Sequence, residues 1–167
     1  MKRLVLSAIM TALALGSAAN SPMSKIEREH LIAHMEMTES WLIDEVSKLS
    51  PAQLNFRVAP GRWTIMEVVE HLTIAEPIYW QQFQTAIKQP PRKLDKHPTD
   101  EDVLWYGIDR VRHEKTEPSK EPRGQLSNVQ QGLESFRKLH ATILEYVQTT
   151  DDDLRAHVQP EWGTDAY

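Results

Sequence analysis

Histidine and carboxylate side chains carry the metal-binding capacity of this sequence, because its 167 residues include seven histidines and no cysteine. His71 follows Val68 by three residues on the inner line of a predicted helix, where a neutral imidazole can bind a divalent metal ion. His140 falls on the apolar line of a later helix and could come near His71 across the two helices. Each histidine can instead be a packed, hydrogen-bonded core residue, and the sequence leaves both roles open.

His30 and His34 form a second candidate site, since residues four apart lie on one helix face and can chelate zinc or nickel. No glutamate stands between them, as a metalloprotease would require, and the pair flanks the apolar stripe. A solvated or packing role is the alternative. Motifs for a serine nucleophile, a phosphate-binding loop or a dinucleotide are missing, so the sequence identifies no catalytic side chain and no organic cofactor.

The first nineteen residues have the three parts of a secretory signal peptide. A positive start with Lys2 and Arg3 precedes an uncharged apolar run, and small residues at 16–19 suit cleavage before Asn20. The apolar run is shorter than the roughly 20 residues of a membrane-spanning helix, although an uncleaved anchor or a buried terminal helix is the alternative. We expect an exported protein, periplasmic or secreted, with no membrane contact after cleavage.

Three amphipathic helices are predicted, each starting at a hydroxyl side chain that is followed three positions later by Glu or Gln. These capping pairs are Ser24 with Glu27, Thr64 with Glu67, and Ser127 with Gln130. The first helix should end near Ser50-Pro51, which can itself cap a short turn through Gln53. The second helix should bend without breaking at Pro77, and the third should reach about Val147. The proline-rich and charged residues 89–124 join the last two, with a short helix expected from Asp100 to Arg112.

These elements predict an all-α fold, an up-down four-helix bundle over residues 24–167 with a long crossover between its second and third helices. Only a few residues follow the turn at Pro160, so we expect the last helix to be largely missing. The exposed apolar stripes that would result predict aggregation or a homodimer.

Acidic residues outnumber basic ones, which disfavours nucleic acid as a partner. The formal charge of −5 becomes −7 when Lys2 and Arg3 leave with the signal segment. A small-molecule substrate remains as the expected partner.

The loop before the second helix and the start of that helix carry a resemblance to a known family. The matching residues are Leu49-Ser50-Pro51-Ala52-Gln53-Leu54, Gly61-Arg62-Trp63-Thr64-Ile65, Glu70-His71-Leu72 and Glu76. Over roughly residues 24–167 the chain resembles the DinB/YfiT-like superfamily, in which a loop ending Trp-Ser/Thr-Ile precedes a helix that bears a histidine.

The resemblance implies a divalent metal, nickel or zinc, held by three histidines. His71 matches the ligand from the second helix, whereas the other two come from a His-x-x-x-His pair in the last helix and have no counterpart here. Some members are thiol-dependent transferases, but those thiols are cytosolic, so export favours a metal-dependent hydrolase when the chain is complete. The alternative is a non-catalytic, exported helical binding protein with His71 in its core.

Overall fold

The computed structural model describes residues 22–91, 99–109, 111 and 115–157, and the regular elements in these ranges are all helical. The five α-helices are α1 Lys25–Val46, α2 Pro51–Leu54, α3 Ile65–Ala86, α4 Asp100–Ile108 and α5 Val129–Thr149. One short 3-10 turn, Pro118–Lys120, lies between α4 and α5, and a second, Leu154–Ala156, follows α5. The predicted signal segment and the residues beyond 157, where a last helix was expected to begin, lie outside the described residues.

Two of the three predicted capping boxes are confirmed. Ser24 begins α1 with its box to Glu27, and Thr64 begins α3 with its box to Glu67. The start predicted for α5 was wrong by one residue, because the side chain of Asn128, and not that of Ser127, accepts the cap bond, at 2.9 Å from the amide of Gln131. Asparagine caps a helix as well as serine does, so the two neighbours compete for the position.

Two helix ends differ from the predicted ones. α1 ends at Val46, about one turn before Ser50. Ser50 caps the separate short helix α2 through a box with Gln53, as predicted. α4 ends at Ile108 and not at Arg112. α3 runs without a break through Pro77, as predicted.

α5 is the central helix of the described bundle: it packs against both α1 and α3, whereas those two make little direct contact with each other. The core at these interfaces is aliphatic. Its buried members are Val46, Leu54, Val69, Val129 and Leu133. Gly132 of α5 lets α3 approach closely, since a Cβ there would lie 2.6 Å from Cγ1 of Val69. The helix bearing His71 is therefore held against α5 by direct backbone-to-side-chain packing.

An arginine of α1 ties down the far end of α5. The Arg28 guanidinium donates hydrogen bonds to the carbonyl oxygens of Val147 and Thr150, the latter at 2.7 Å. The last carbonyls of a helix have no partner within it, so this side chain supplies one.

In the part of the chain that the structure describes, no helix is both long and apolar enough to span a bilayer.

Candidate functional site

His71 lies half-buried on α3, with one ring nitrogen committed to the crossover segment. Its Nδ1 is 2.7 Å from the carbonyl oxygen of Lys120. A carbonyl only accepts hydrogen bonds, so Nδ1 carries the proton, and in the neutral ring Nε2 keeps a free lone pair. A histidine that ligates a metal ion commonly donates its other N–H in this way. The contact with the Lys120 carbonyl therefore favours the Nδ1–H tautomer of His71, in which Nε2 has the lone pair that can bind a metal ion.

The indole of Trp63, in the loop before α3, packs against the His71 ring. The two ring centroids are 5.0 Å apart and the planes are inclined by 45°. This contact fixes one side of the imidazole while the Lys120 carbonyl fixes its direction.

The start of α3 is fastened by a network that includes a loop arginine. Glu67 completes the Thr64 capping box and accepts a hydrogen bond of 2.7 Å from the Arg57 guanidinium, which also donates to the carbonyl oxygen of Arg62. The bond from Arg57, helped by the amide of Thr64, lowers the pKa of the Glu67 carboxyl. The loop that carries Trp63 is therefore anchored to the helix that carries His71.

The crossover segment is fastened to α3 at two further points. Glu70 is buried and accepts hydrogen bonds from the amides of Gly124 and Gln125, at 2.9 and 2.7 Å. The buried Lys120 ammonium lies 4.4 Å from the centroid of the Tyr79 ring and 3.2 Å from a carboxylate oxygen of Glu117. One contact is made by the side chain of Lys120 itself and the other lies four to five residues further along the chain, so both restrict the carbonyl that accepts the hydrogen bond from His71.

His140 is buried on α5 and packs on its own helix neighbour, Phe136, with ring centroids 4.0 Å apart. Its Nδ1 lies 3.3 Å from Oε2 of Glu39 on α1, but outside hydrogen-bonding geometry, and Nδ1 has no hydrogen-bond partner within the described residues. His140 therefore occupies the α1–α5 interface as a buried imidazole beside a carboxylate.

Glu76 lies within electrostatic reach of both inward histidines. Burial raises the pKa of its carboxyl, and the charges of His140 and His71 oppose that rise. Both histidines thus act electrostatically on Glu76, although no hydrogen bond, ion pair or ring contact joins the two histidines within the described residues. Glu76 is among the residues that match the family resemblance and is the sole charged residue in the stretch 72–80, but neither feature predicted its place between the two histidines.

His30 and His34 are exposed on α1. Across the described ranges, no three histidine, cysteine or carboxylate side chains come together as a group able to hold a metal ion. The sequence candidates consequently divide into His71, whose Nδ1 is hydrogen-bonded to a backbone carbonyl, His140, buried beside a carboxylate, and the exposed pair.

Comparison with known proteins agrees with this architecture. A family model of the DinB superfamily matches residues 34–166. Among solved structures, YfiT from Bacillus subtilis, described as "a probable metal-dependent hydrolase with an unusual four-helix bundle topology", matches with a TM-score of 0.55 at 19% sequence identity, over 84% of this chain and 73% of that chain. No curated protein matches the sequence. The predicted all-α fold of DinB/YfiT type is confirmed, and the chain belongs to the DinB superfamily.

Proposed function

We propose that this chain is an exported DinB-superfamily protein that binds a divalent metal ion, nickel or zinc, through Nε2 of His71, as part of a metal-dependent hydrolase acting on a small molecule. One observation carries the proposal: the 2.7 Å contact from Nδ1 of His71 to the Lys120 carbonyl leaves Nε2 as the acceptor nitrogen. The description of YfiT as a probable metal-dependent hydrolase supports the same reading.

The described residues fit one coordination position of such a metal, and not a closed site. Catalytic zinc sites use three protein ligands, and no group of three donors forms among the residues that the structure covers. With a divalent cation bound at His71, the site would gain Lewis-acid chemistry and a source of hydrolytic nucleophile at neutral pH. What this chain's own residues do is hold the His71 ring in one tautomer and one orientation.

A second function, a non-catalytic helical binding protein, is favoured by the packing of His140. That ring packs on Phe136 and lies beside the Glu39 carboxylate, as a buried structural histidine can. If His71 serves the same structural purpose, the bundle needs no metal, and its inward polar residues only fix the register of the helices.

Metal titration of the purified chain separates these functions. Calorimetric titration of the metal-free chain with nickel or zinc should show saturable binding of one ion per chain. His71→Ala should abolish it, whereas the double variant His30→Ala/His34→Ala, which removes the exposed candidate pair, should leave it unchanged. Equal binding by both variants, or none by the parent chain, would favour the non-catalytic protein.

Export is tested separately by expressing the full chain in a bacterium and fractionating the cells. We expect the chain in the periplasm or medium with Asn20 as its first residue, because the segment before it has signal-peptide character. Recovery of the uncleaved chain from the cytoplasm would contradict export without affecting the metal site.

A further inference from the structure

The crossover carbonyl that orients His71 is held in place from both sides. Lys120 supplies the carbonyl, its own side chain reaches along α3 to Tyr79, and Glu70 of α3 binds the backbone a few residues further on. We propose that Glu70 and Lys120 are positioning residues, whose shared task is to keep the Lys120 carbonyl against Nδ1 of His71. That this serves metal binding rests on the proposed function; the positioning itself does not.

Glu70 is unusual because it is a buried carboxylate whose partners, within the described residues, are backbone amides. It is 4% exposed, and its two oxygens accept from the consecutive amides of Gly124 and Gln125 at 2.9 and 2.7 Å. Gly124 has a φ of 69°, a left-handed conformation that glycine adopts without a steric penalty. Burying a carboxylate is unfavourable unless it is hydrogen-bonded. The two hydrogen bonds of Glu70 therefore hold the backbone at Gly124 and Gln125 against α3.

Lys120 holds the other side of the same segment. Its side chain is as deeply buried as that of Glu70, at 5% exposed, and its ammonium lies over the Tyr79 ring while pairing with Glu117. Tyr79 follows His71 by eight residues, about two turns along the same helix. A shift of the carbonyl along α3 would therefore break the cation–π contact of Lys120 or the two hydrogen bonds that backbone N–H groups donate to Glu70.

Fixing this carbonyl decides which nitrogen of His71 faces outward as a lone pair. Without the acceptor, the neutral ring can place its proton on either nitrogen, and the Nε2–H form has no lone pair at the position a metal would use. Loss of such a supporting contact commonly lowers metal affinity by about 10–100-fold. Glu70 and Lys120 thus act on the metal only through His71.

The test is the tautomer of His71, read by long-range proton–nitrogen correlation NMR on the histidine-labelled chain at a pH where imidazoles are neutral. The parent chain should show the Nδ1–H form. Glu70→Gln, which places an amide group against one of the two N–H donors, and Lys120→Met, which keeps the packing but removes the charge, should each show a mixture of tautomers. Glu121→Gln and Lys115→Met remove exposed charges from the same segment and should leave His71 unchanged.

Nickel titrations of the same variants provide the second readout. Affinity should fall about 10–100-fold in Glu70→Gln and Lys120→Met and stay constant in the two controls. A pure Nδ1–H signal in both buried-site variants would overturn the positioning role. If the parent chain binds no nickel but the tautomer mixture appears, the positioning holds and the proposed function fails. Because two independent substitutions are read, misfolding of one, detected by circular dichroism, leaves the other to decide.

Discussion

Replacing Gly132 by alanine tests how closely α3 and α5 must approach to present His71. The added Cβ would lie 2.6 Å from Cγ1 of Val69 and 2.9 Å from Cδ2 of Leu126. Val69 is 2% exposed and β-branched, so its methyl group cannot rotate away within a helix. Leu126 is only half-buried and can adjust. The clash with Val69 is therefore the one that the structure must absorb.

Two opposing effects set the size of the change. Alanine is a better helix former than glycine by about 0.8–1.0 kcal/mol in a helix interior. Overpacking a well-filled core costs about 1–3 kcal/mol. The balance predicts that Gly132→Ala lowers the free energy of unfolding by about 1 kcal/mol, since the packing cost exceeds the propensity gain. A domain of this size would then melt about 2–4 °C lower.

Urea unfolding followed by circular dichroism measures this effect. Ser135→Ala, an exposed change on the same helix, serves as the propensity control and should alter stability by less than about 0.5 kcal/mol. In the double variant with Val69→Ala, the new methyl group enters the space that valine vacated, so the combined loss should be smaller than the sum by about 0.5–3 kcal/mol. A stabilised Gly132→Ala, or strict additivity with Val69→Ala, would refute the close contact.

Three further predictions concern other parts of the bundle. Arg28→Ala leaves two carbonyls at the end of α5 without their donor and should cost about 1–3 kcal/mol in urea unfolding, against less than about 1 kcal/mol for Lys25→Ala, which loses only an exposed ion pair. Glu76→Gln should raise the free energy of unfolding at neutral pH but not below pH 4.5. Burial raises the pKa of Glu76 above 4.5, so the protonated carboxyl stabilises the fold fully below pH 4.5, and this stabilisation is lost as the pH rises through the pKa of the folded state. A variant that is less stable than the parent chain at neutral pH and more stable below pH 4.5 would contradict this. Exposed apolar side chains such as Trp41, 61% exposed on α1, predict concentration-dependent association in sedimentation velocity that Trp41→Ser weakens; a parent chain that stays monomeric at all concentrations would contradict it.

The starts of the helices could be predicted from the sequence because a cap depends on residues three apart. Ser24 and Thr64 were identified on that basis, and both form their boxes. Asn128 was missed because Ser127 beside it offers an equally good capping side chain, and the local pattern does not rank the two. In the folded chain the Ser127 hydroxyl donates to the side chain of Gln131 at 2.8 Å, so it supports the cap that Asn128 makes.

The site was less predictable because its partners are distant in sequence and partly belong to the backbone. Helical periodicity placed His71 on the inward side, but its hydrogen-bond partner is a carbonyl 49 residues away, and a carbonyl has no residue type to recognise. Glu39 and His140 likewise meet only after α1 and α5 pack together. Buried Lys120 gave no signal at all, since lysine in a proline-rich connection is normally exposed.

The two inward carboxylates of α3 differ in what surrounds them. Glu70 loses contact with water but regains two amide hydrogen bonds, so its burial is balanced by structure. Burial raises the pKa of Glu76, six residues further along α3, and the charges of His140 and His71 oppose that rise. A carboxyl group whose pKa is raised by burial beside two histidines is a candidate for a functional role. Of the two, Glu70 fixes the backbone next to the carbonyl that orients His71, and Glu76 is the carboxylate whose charge acts on both inward histidines.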